Sequence, residues 1–421
     1  MKSIEDIAAA LQGYDPQALS VQQVGEFLQQ LVQAVRDTEV LPLFDALDRV
    51  LAQDVMSPIN VPPHNNSAMD GYAFDGAQLS DQPLHLRVVG TALAGRAWQG
   101  QVQVGECLKI MTGAILPDGM DTVVPQEFTQ SAGNDQIVIP AGVLKRGDNS
   151  RQMGEDLRQG LPALLQGTLL RPAALGLLAS LGIPTVTVYR RLKVAYFSTG
   201  DEILSLGETL REGAVYDSNR YTVFGLLTRM GCEVIDMGVV RDDPALLEAA
   251  FTQAAQQADA IITSGGVSVG EADFTKAMMK KLGDVAFWKI AMRPGRPMAV
   301  GRIGRSVLFG LPGNPVAVMV TFLAFVRPAL LRMIGSNAPA PVLLRAKSVE
   351  ALRKKAGRTE YQRGFVSTAP DGRLQVSAAG NQGSGVLRSM VEANGLIVLH
   401  HHQGNVEAGE EVDVMMFEGV I

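Results

Sequence analysis

The chain is 421 residues long, 47% hydrophobic and 19% charged. That is more apolar material than one core holds, so several domains are expected. Its 37 basic and 43 acidic side chains leave a net charge of −6, which excludes the basic footprint of a general nucleic-acid binder.

The first residues, MKSIEDIAAALQGYD, carry acids early and lack an apolar core of signal-peptide length. Residues 1–53 read as helical, with Val24, Phe27, Leu28, Leu31, Val32 and Val35 at helical spacing. A second short helix is expected from Leu43 to Ala52, after Pro42. From Ser57 onward prolines lead into a polar loop, and residues 72–160 give short β-like pieces such as Glu106–Met111 and Thr122–Pro125. Arg171–Leu181 reads as helix and Thr185–Val188 as strand, so the helical region is resumed after a β-rich insertion.

Leu192 opens a regular alternation. Strands are expected at Lys193–Phe197, Glu233–Val240, Ala260–Thr263, Val285–Ile290 and Ser306–Phe309. Helices are expected at Arg220–Met230, Ala245–Gln257, Thr275–Leu282 and Pro315–Met333. Such alternation indicates parallel βαβ units in a doubly wound α/β domain. Its longest apolar run, Val316 to Val326, is too short to span a bilayer. After Gly335 the pattern turns β-like, with a hairpin turn at Pro370-Asp-Gly372. The expected fold class is therefore multidomain α/β plus β: residues 1–57 with 161–191 as a helical base, 58–160 as a β-rich insertion, 192–335 as the α/β domain and 336–421 as a C-terminal, barrel-like β-domain. The two cysteines, Cys107 and Cys232, lie far apart. They suit a reducing compartment, the cytoplasm, better than a disulfide framework.

The chemistry concentrates in four strand-to-helix loops: Ser198-Thr-Gly-Asp-Glu202, Arg241-Asp-Asp-Pro244, Thr263-Ser-Gly-Gly-Val-Ser-Val-Gly270 and Leu311-Pro-Gly-Asn-Pro315. In an open parallel sheet such loops share the edge at which ligands bind. Glycine-loop amides attract oxyanions, while carboxylates on the same rim repel them unless a hard dication lies between. A phosphorylated ligand held with a metal ion follows.

Gly265, Gly266, Ser268 and Gly270 lack the Walker lysine and read as an anion-binding loop or as a plain turn. Asp273 reads equally as an N-cap or a ligand; Asp243, before Pro244, reads as a cap, which leaves Asp242 as the ligand candidate. Asp217 and Asn219 also look like capping residues, whereas Glu202 has no capping duty and reads as facing metal or substrate. In Leu311–Pro315, Gly313 is expected to take an unusual backbone angle, Asn314 to cap and Pro315 to open a helix. Lys289, Arg293 and Arg296 flank Pro294-Gly295 and would neutralise an oxyanion. Asp70, Thr112, Arg151, Glu155 and Asp156 stand in glycine-containing loops that spacing alone does not separate from turns. His400-His-His402 adjoins Gln403-Gly-Asn405 and reads as an exposed hairpin end.

Taken jointly and in order, ALDRVLAQDV, NNSAMDGYAF, KIMTGAILPDGMDTVV, MGEDL, FSTGDEI, YDSNR, RDDP, TSGGVSVGEADF, FWKIAMRPGRP and LPGNPVA closely resemble the molybdopterin molybdenumtransferases, the MoeA family, and the C-terminal domain of gephyrin. The resemblance runs from about Leu43 to the last residues. It implies that adenylylated molybdopterin and molybdate become molybdenum cofactor with release of AMP, assisted by Mg²⁺. It also implies a homodimer whose cleft lies between the molybdopterin-binding-like α/β domain of one subunit and the β-rich domain of the other. The family's functional positions fall on Asp70, Thr112, Arg151 and Asp156 on one wall. On the other they fall on Glu202, Asp242, Asp273, Lys289, Arg293, Pro312 and Pro315, with Glu202, Asp242 and Asp273 as metal ligands. Two departures stand out: Arg151-Gln-Met153 where three arginines are usual, and Arg293 and Arg296 where lysines are common. Implied partners are the molybdopterin adenylyltransferase and molybdoenzyme-maturation proteins, with no nucleic acid and no membrane. Two other readings of the same fold are the adenylyltransferase itself and a non-catalytic scaffold.

Overall fold

The computed structural model describes residues 2–133, 135–267 and 274–418. The chain forms two compact units, one of residues 1–52, 167–172 and 185–421, the other of 53–166 and 173–184.

The first unit is built on a six-stranded sheet. In chain order its elements are β1 (Lys193–Thr199), α1 (Ser218–Arg229), β2 (Glu233–Val240), α2 (Pro244–Gln257), β3 (Ala260–Ser264), α3 (Phe274–Leu282), β4 (Gly283–Lys289), β5 (Pro297–Ile303), β6 (Ser306–Leu311) and α4 (Pro315–Thr321). The strand order is β2-β1-β3-β6-β5-β4. β2, β1, β3 and β6 run parallel, and β5 and β4 close the edge antiparallel.

Alternation along β1 explains the two-faced wrapping. Val194 and Tyr196 join a core with Leu226 of α1 and Val318 of α4. Ala195 and Phe197 join another with Leu247 and Phe251 of α2. Each face is apolar because successive side chains point to opposite sides of a strand.

The N-terminal helices add to the first face. Ile4–Ala10 and Val21–Leu31 each start in a capping box, Ser3 with Asp6 and Ser20 with Gln23. Phe27 meets Trp288 of β4 edge-on at 4.8 Å, and the Trp288 indole donates to Tyr14 Oη at 3.0 Å. A buried side chain of this size contributes roughly 1.5–3 kcal/mol. β7 (Leu344–Ser348), β8 (Thr359–Thr368), β9 (Leu374–Ala378), β10 (Gly395–Leu399) and β11 (Glu411–Met416) form a closed five-stranded barrel in the order β8-β9-β7-β11-β10, with β10 returning to β8. Met292–Arg293 pairs with Thr359 and Glu360 at its edge.

The second unit holds a six-stranded sheet with the order Thr122–Pro125, Gly71–Phe74, Glu106–Ile110, Leu84–Ala92, Gln136–Ile139, Gln130–Gly133. Ala73, Leu108 and Val123 fill one side, and Phe74, Cys107 and Val124 the other.

Several expectations are corrected. Leu43–Ala52 is not a helix: only Leu43–Asp45 makes a 3₁₀ turn, after the strand Thr38–Pro42, which pairs antiparallel with Thr185–Tyr189. Val50 and Leu51 bridge to Leu169 and Val188, and Asp48 adopts a φ of 59°, so strand contacts override helical spacing. The sheet is mixed rather than wholly parallel, because Pro297–Ile303 forms a strand that no periodicity signalled. The run Pro315–Met333 is helical throughout but passes through a π segment at Phe322–Val326. It is long and apolar enough to cross a membrane by composition, and two-thirds of its most apolar window (67%) is buried inside the protein.

Candidate active site

The order β2-β1-β3 reverses the direction of winding at β1, so the crevice between the ends of β1 and β3 is the switch point of the sheet. Ser198 and Ser264 are register partners there. Tyr196 Oη lies 2.8 Å from Ser198 Oγ and 2.7 Å from Ser264 Oγ, a buried hydroxyl cluster. Burial, reinforced by the nearby Asp217 carboxylate, raises the Tyr196 phenol above its ordinary range and keeps it protonated.

Glycine is required at this edge for steric reasons. Gly265 has a φ of 94°, and a Cβ on it would stand 2.4 Å from the Thr199 carbonyl oxygen. Gly266 has a φ of 63°, and its Cβ would strike Thr275 at 2.4 Å. The main chain at the end of β3 is thus bare of side chains, with the Gly265 N–H donating to Leu311 O at 3.1 Å. Thr199 Oγ1, Asp217 Oδ2, Asn219 Oδ1 and Thr275 Oγ1 are buried without hydrogen-bond partners among the described residues, an unusual concentration of unmet polar groups in one crevice.

The carboxylate loops meet on the same rim. A Cβ on Gly200 would lie 2.6 Å from Glu202 Oε2, so Glu202 folds back over the end of β1. Asp242 donates its N–H to Asp201 Oδ1 at 3.3 Å, Arg241 donates to the Asp201 carbonyl at 3.3 Å, and Arg211 donates to that carbonyl too. The Glu202 and Asp242 loops are therefore tied together. Asp243 caps α2, accepting from Ala245 and Leu246, and Asp217 caps α1. Ser268, Gly270 and Asp273 lie outside the described residues. Among the described residues no group of three or more His, Cys, Asp or Glu side chains is arranged to hold a metal.

Three further readings change. Asn219 is not a cap: it donates Nδ2 to Gly313 O at 2.7 Å and reaches Ser264 Oγ at 3.4 Å. Asn314 occupies the N-cap position of α4 without a capping hydrogen bond and donates to Ser384 Oγ instead, at 3.1 Å. Gly313 takes no left-handed angle, and a Cβ on it would meet nothing within 4 Å. Pro315 does open the helix.

The cationic loop Lys289–Arg296 seats on α4 through Gly295, whose Cβ would stand 2.3 Å from Thr321 Oγ1. Arg293 then lines a cavity of about 240 Å³ with Arg353, Glu360, Arg363 and Gln382. Arg363 is 1% exposed and donates to Asn381 O, Gly383 O and Ser389 Oγ at 2.9–3.0 Å. It makes no ion pair among the described residues, and burial, then the charge of Arg293, pulls its pKa down to about 10. Of the two carboxylates in the lining, Glu360 is occupied by Arg358 at 2.7 Å and Glu350 accepts the Ala378 N–H at 2.9 Å. A buried guanidinium without a counter-ion calls for an anion. Sequence patterns did not flag Arg363, since it lies far along the chain in a β-barrel strand.

In the second unit Asp70 and Thr112 come together: Thr112 donates both N–H and Oγ1 to Asp70 Oδ1, at 2.6 and 2.7 Å. These bonds, the backbone one first, hold the Asp70 carboxyl below its usual range. Arg151 lies in the adjacent ladder, Ser150–Arg151 on Asn66–Ser67, and Gly113 N–H donates to Ser67 O at 2.8 Å. Asp156 follows, its N–H on Val61 O at 3.0 Å, and Arg151 stands 4.0 Å from Glu155. His400 pairs with Asp413 at 2.5 Å in the turn after β10, as an exposed hairpin end. Cys107 and Cys232 are unpaired and buried, and burial pushes both thiols up to about 12.

Comparison with known proteins bears on this geometry. Residues 19–182 match the MoeA N-terminal region (domain I and II), 195–332 a probable molybdopterin binding domain, and 345–417 the MoeA C-terminal region (domain IV). The chain is 45% identical over 387 residues to the molybdopterin molybdenumtransferase of Haemophilus influenzae, covering 91% of this chain and 95% of the relative. It is 33% identical to that of Bacillus subtilis, covering 90% of each. Among solved structures, the molybdopterin biosynthesis moeA protein of Pyrococcus horikoshii OT3 superposes with a TM-score of 0.80 at 28% identity, covering 95% of this chain and all of the other.

Proposed function

The chain belongs to the MoeA family, and from that premise we propose that it is a molybdopterin molybdenumtransferase, converting adenylylated molybdopterin and molybdate to molybdenum cofactor with release of AMP. The observation that carries the oxyanion half of this reading is the buried, unpaired Arg363 beside Arg293. That cavity suits a tetrahedral oxyanion such as molybdate, which would supply the missing counter-charge.

The phosphate half rests on the glycine loop after β3: the Gly265 N–H is taken by Leu311 O at 3.1 Å, which leaves the Gly266 amide as the donor, with Ser268 and Gly270 assigned to the same loop. Lys289 and Arg296, in the same stretch as Arg293, are assigned to neutralising the anions. Mg²⁺ fits the donor set, because it is held by one or two carboxylates together with waters and phosphate oxygens. Glu202 and Asp242 offer hard oxygen donors on one rim, with Asp273 as the third residue assigned to the ion. When bound, the ion supplies charge neutralisation to the pyrophosphate. The protein's own groups orient the anions: Pro312 and Pro315 stiffen the neighbouring loop, and the main-chain amides oppose charge building on the leaving AMP.

Asp70, Thr112, Arg151 and Asp156 are assigned to the opposite wall, supplied by a second copy in a homodimer. The two buried thiols support a reducing compartment, the cytoplasm. Purified protein is tested with adenylylated molybdopterin, molybdate and Mg²⁺, and separately with molybdopterin and ATP. AMP release only in the first supports the transferase. Turnover only in the second would reassign the chain to the adenylyltransferase class, and turnover in neither would favour a scaffold.

A further inference from the structure

Asn219 sits in the first turn of α1, is 7% exposed, and belongs to no loop assigned to the reaction. Its amide nevertheless spans two of those loops, donating to Gly313 O at 2.7 Å and reaching Ser264 Oγ, just before Gly265, at 3.4 Å. Leu311 O already accepts the Gly265 N–H at 3.1 Å, but beyond it Pro312 and Pro315 have no N–H to bond with, so the loop tip is held through the Gly313 carbonyl. From its other side the loop is held by Ser384: Val316 N–H donates to Ser384 O and Asn314 Nδ2 to Ser384 Oγ, both at 3.1 Å. The residue before Ser384, Gly383, gives its carbonyl to Arg363 at 2.9 Å. A continuous hydrogen-bonded path thus runs from the Arg363 cavity through Leu311–Pro315 to the glycine rim; Gly265 N–H ties the start of the loop to the rim by donating to Leu311 O at 3.1 Å, and Asn219 ties its tip at Gly313.

We propose that Asn219 is a positioning residue: it pins the Gly313 carbonyl to the end of β3 and so fixes the spacing between the phosphate-binding rim and the oxyanion cavity. This rests on the reading under Proposed function. The amide acts as a donor toward Gly313, so its effect depends on which atom faces that carbonyl, not only on volume. Its role is in ligand binding and mutual placement, with no part in bond making.

The test compares full-length wild type, Asn219→Ala and Asn219→Asp, using AMP alone as a calorimetric probe with Mg²⁺, and steady-state AMP release as a second readout. Asn219→Asp keeps the volume but sets an oxygen against the Gly313 carbonyl. The expected result is AMP affinity and kcat/KM down about tenfold in Asn219→Ala, the equivalent of one lost hydrogen bond, and lower again in Asn219→Asp, with the loss in KM. Equal affinities in all three proteins, or Asn219→Asp binding better than Asn219→Ala, overturns the assignment. Should Asn219→Ala fail to fold, Asn219→Ser replaces it, and wild-type affinity there also overturns it. A wild type that binds AMP but releases none from the adenylylated pterin overturns the transferase reading instead, because the binding comparison stands without turnover.

Discussion

Thr112 donates two hydrogen bonds, from N–H and from Oγ1, to one oxygen of Asp70, Oδ1. Both favour the carboxylate and hold the folded-state pKa of Asp70 below its ordinary value. Thr112→Val removes the hydroxyl and keeps the N–H. The Asp70 pKa should then rise toward the ordinary range, and the acid limb of kcat/KM against pH should move to higher pH. An unmoved acid limb would show that Asp70 does not govern it.

Two glycines of the candidate site, Gly265 and Gly313, should respond differently to the same substitution. Gly265→Ala forces a methyl to 2.4 Å from a backbone oxygen at a φ of 94°, a strain of order 1–3 kcal/mol. It should lower kcat/KM at least tenfold. Gly313→Ala meets open space without a left-handed angle and should change stability by less than about 0.5 kcal/mol. Urea titrations and AMP-release rates read both.

Arg363→Met removes the buried charge while filling much of its volume. It leaves Asn381 O and Gly383 O without their donor, so a modest loss of stability is expected, about 1–3 kcal/mol. The larger effect should be on oxyanion use, with the KM for molybdate up tenfold or more. A molybdate KM equal to wild type would remove molybdate from this cavity.

Acid stability should depend on Asp259. Its carboxylate accepts from both terminal nitrogens of Arg190, at 2.7 and 2.8 Å, and from Lys193 N–H at 2.8 Å. Burial works to raise its pKa, but Arg190 and the Lys193 amide outweigh burial and leave it lowered. A lowered folded-state pKa means the stabilisation is complete above the unfolded-state value and is lost as pH falls through the folded one. Asp259→Asn should therefore cost about 2–3 kcal/mol near neutrality and flatten the decline of stability below about pH 4. Urea midpoints across that range decide it.

Much of the α/β block was legible in the chain. The alternation of apolar strands and capped helices located nearly every parallel element, because burial on both faces leaves continuous runs such as Ala260–Ser264. Caps with a local signature, Asp217 and Asp243 before Pro244, also read correctly, since their bonds go to amides two or three residues on. Leu43–Ala52 misled because its helical spacing is overridden by pairing with residues more than a hundred positions away. Pro297–Ile303 was missed for a related reason: it owes its state to pairing with its two neighbours, β4 and β6.

The order of the motifs, the glycine loop, the carboxylates at 202 and 242 and the basic stretch around Pro294 are properties of the chain itself, decided by residue type and spacing. The placing of an uncompensated Arg363 beside Arg293, the tie between Asn219 and Gly313, and the freedom of Gly313 from any special angle belong to the folded protein alone. Residue type states which bonds a side chain can make, but only the packing of distant segments determines which partners come within reach and which buried groups are left wanting a ligand.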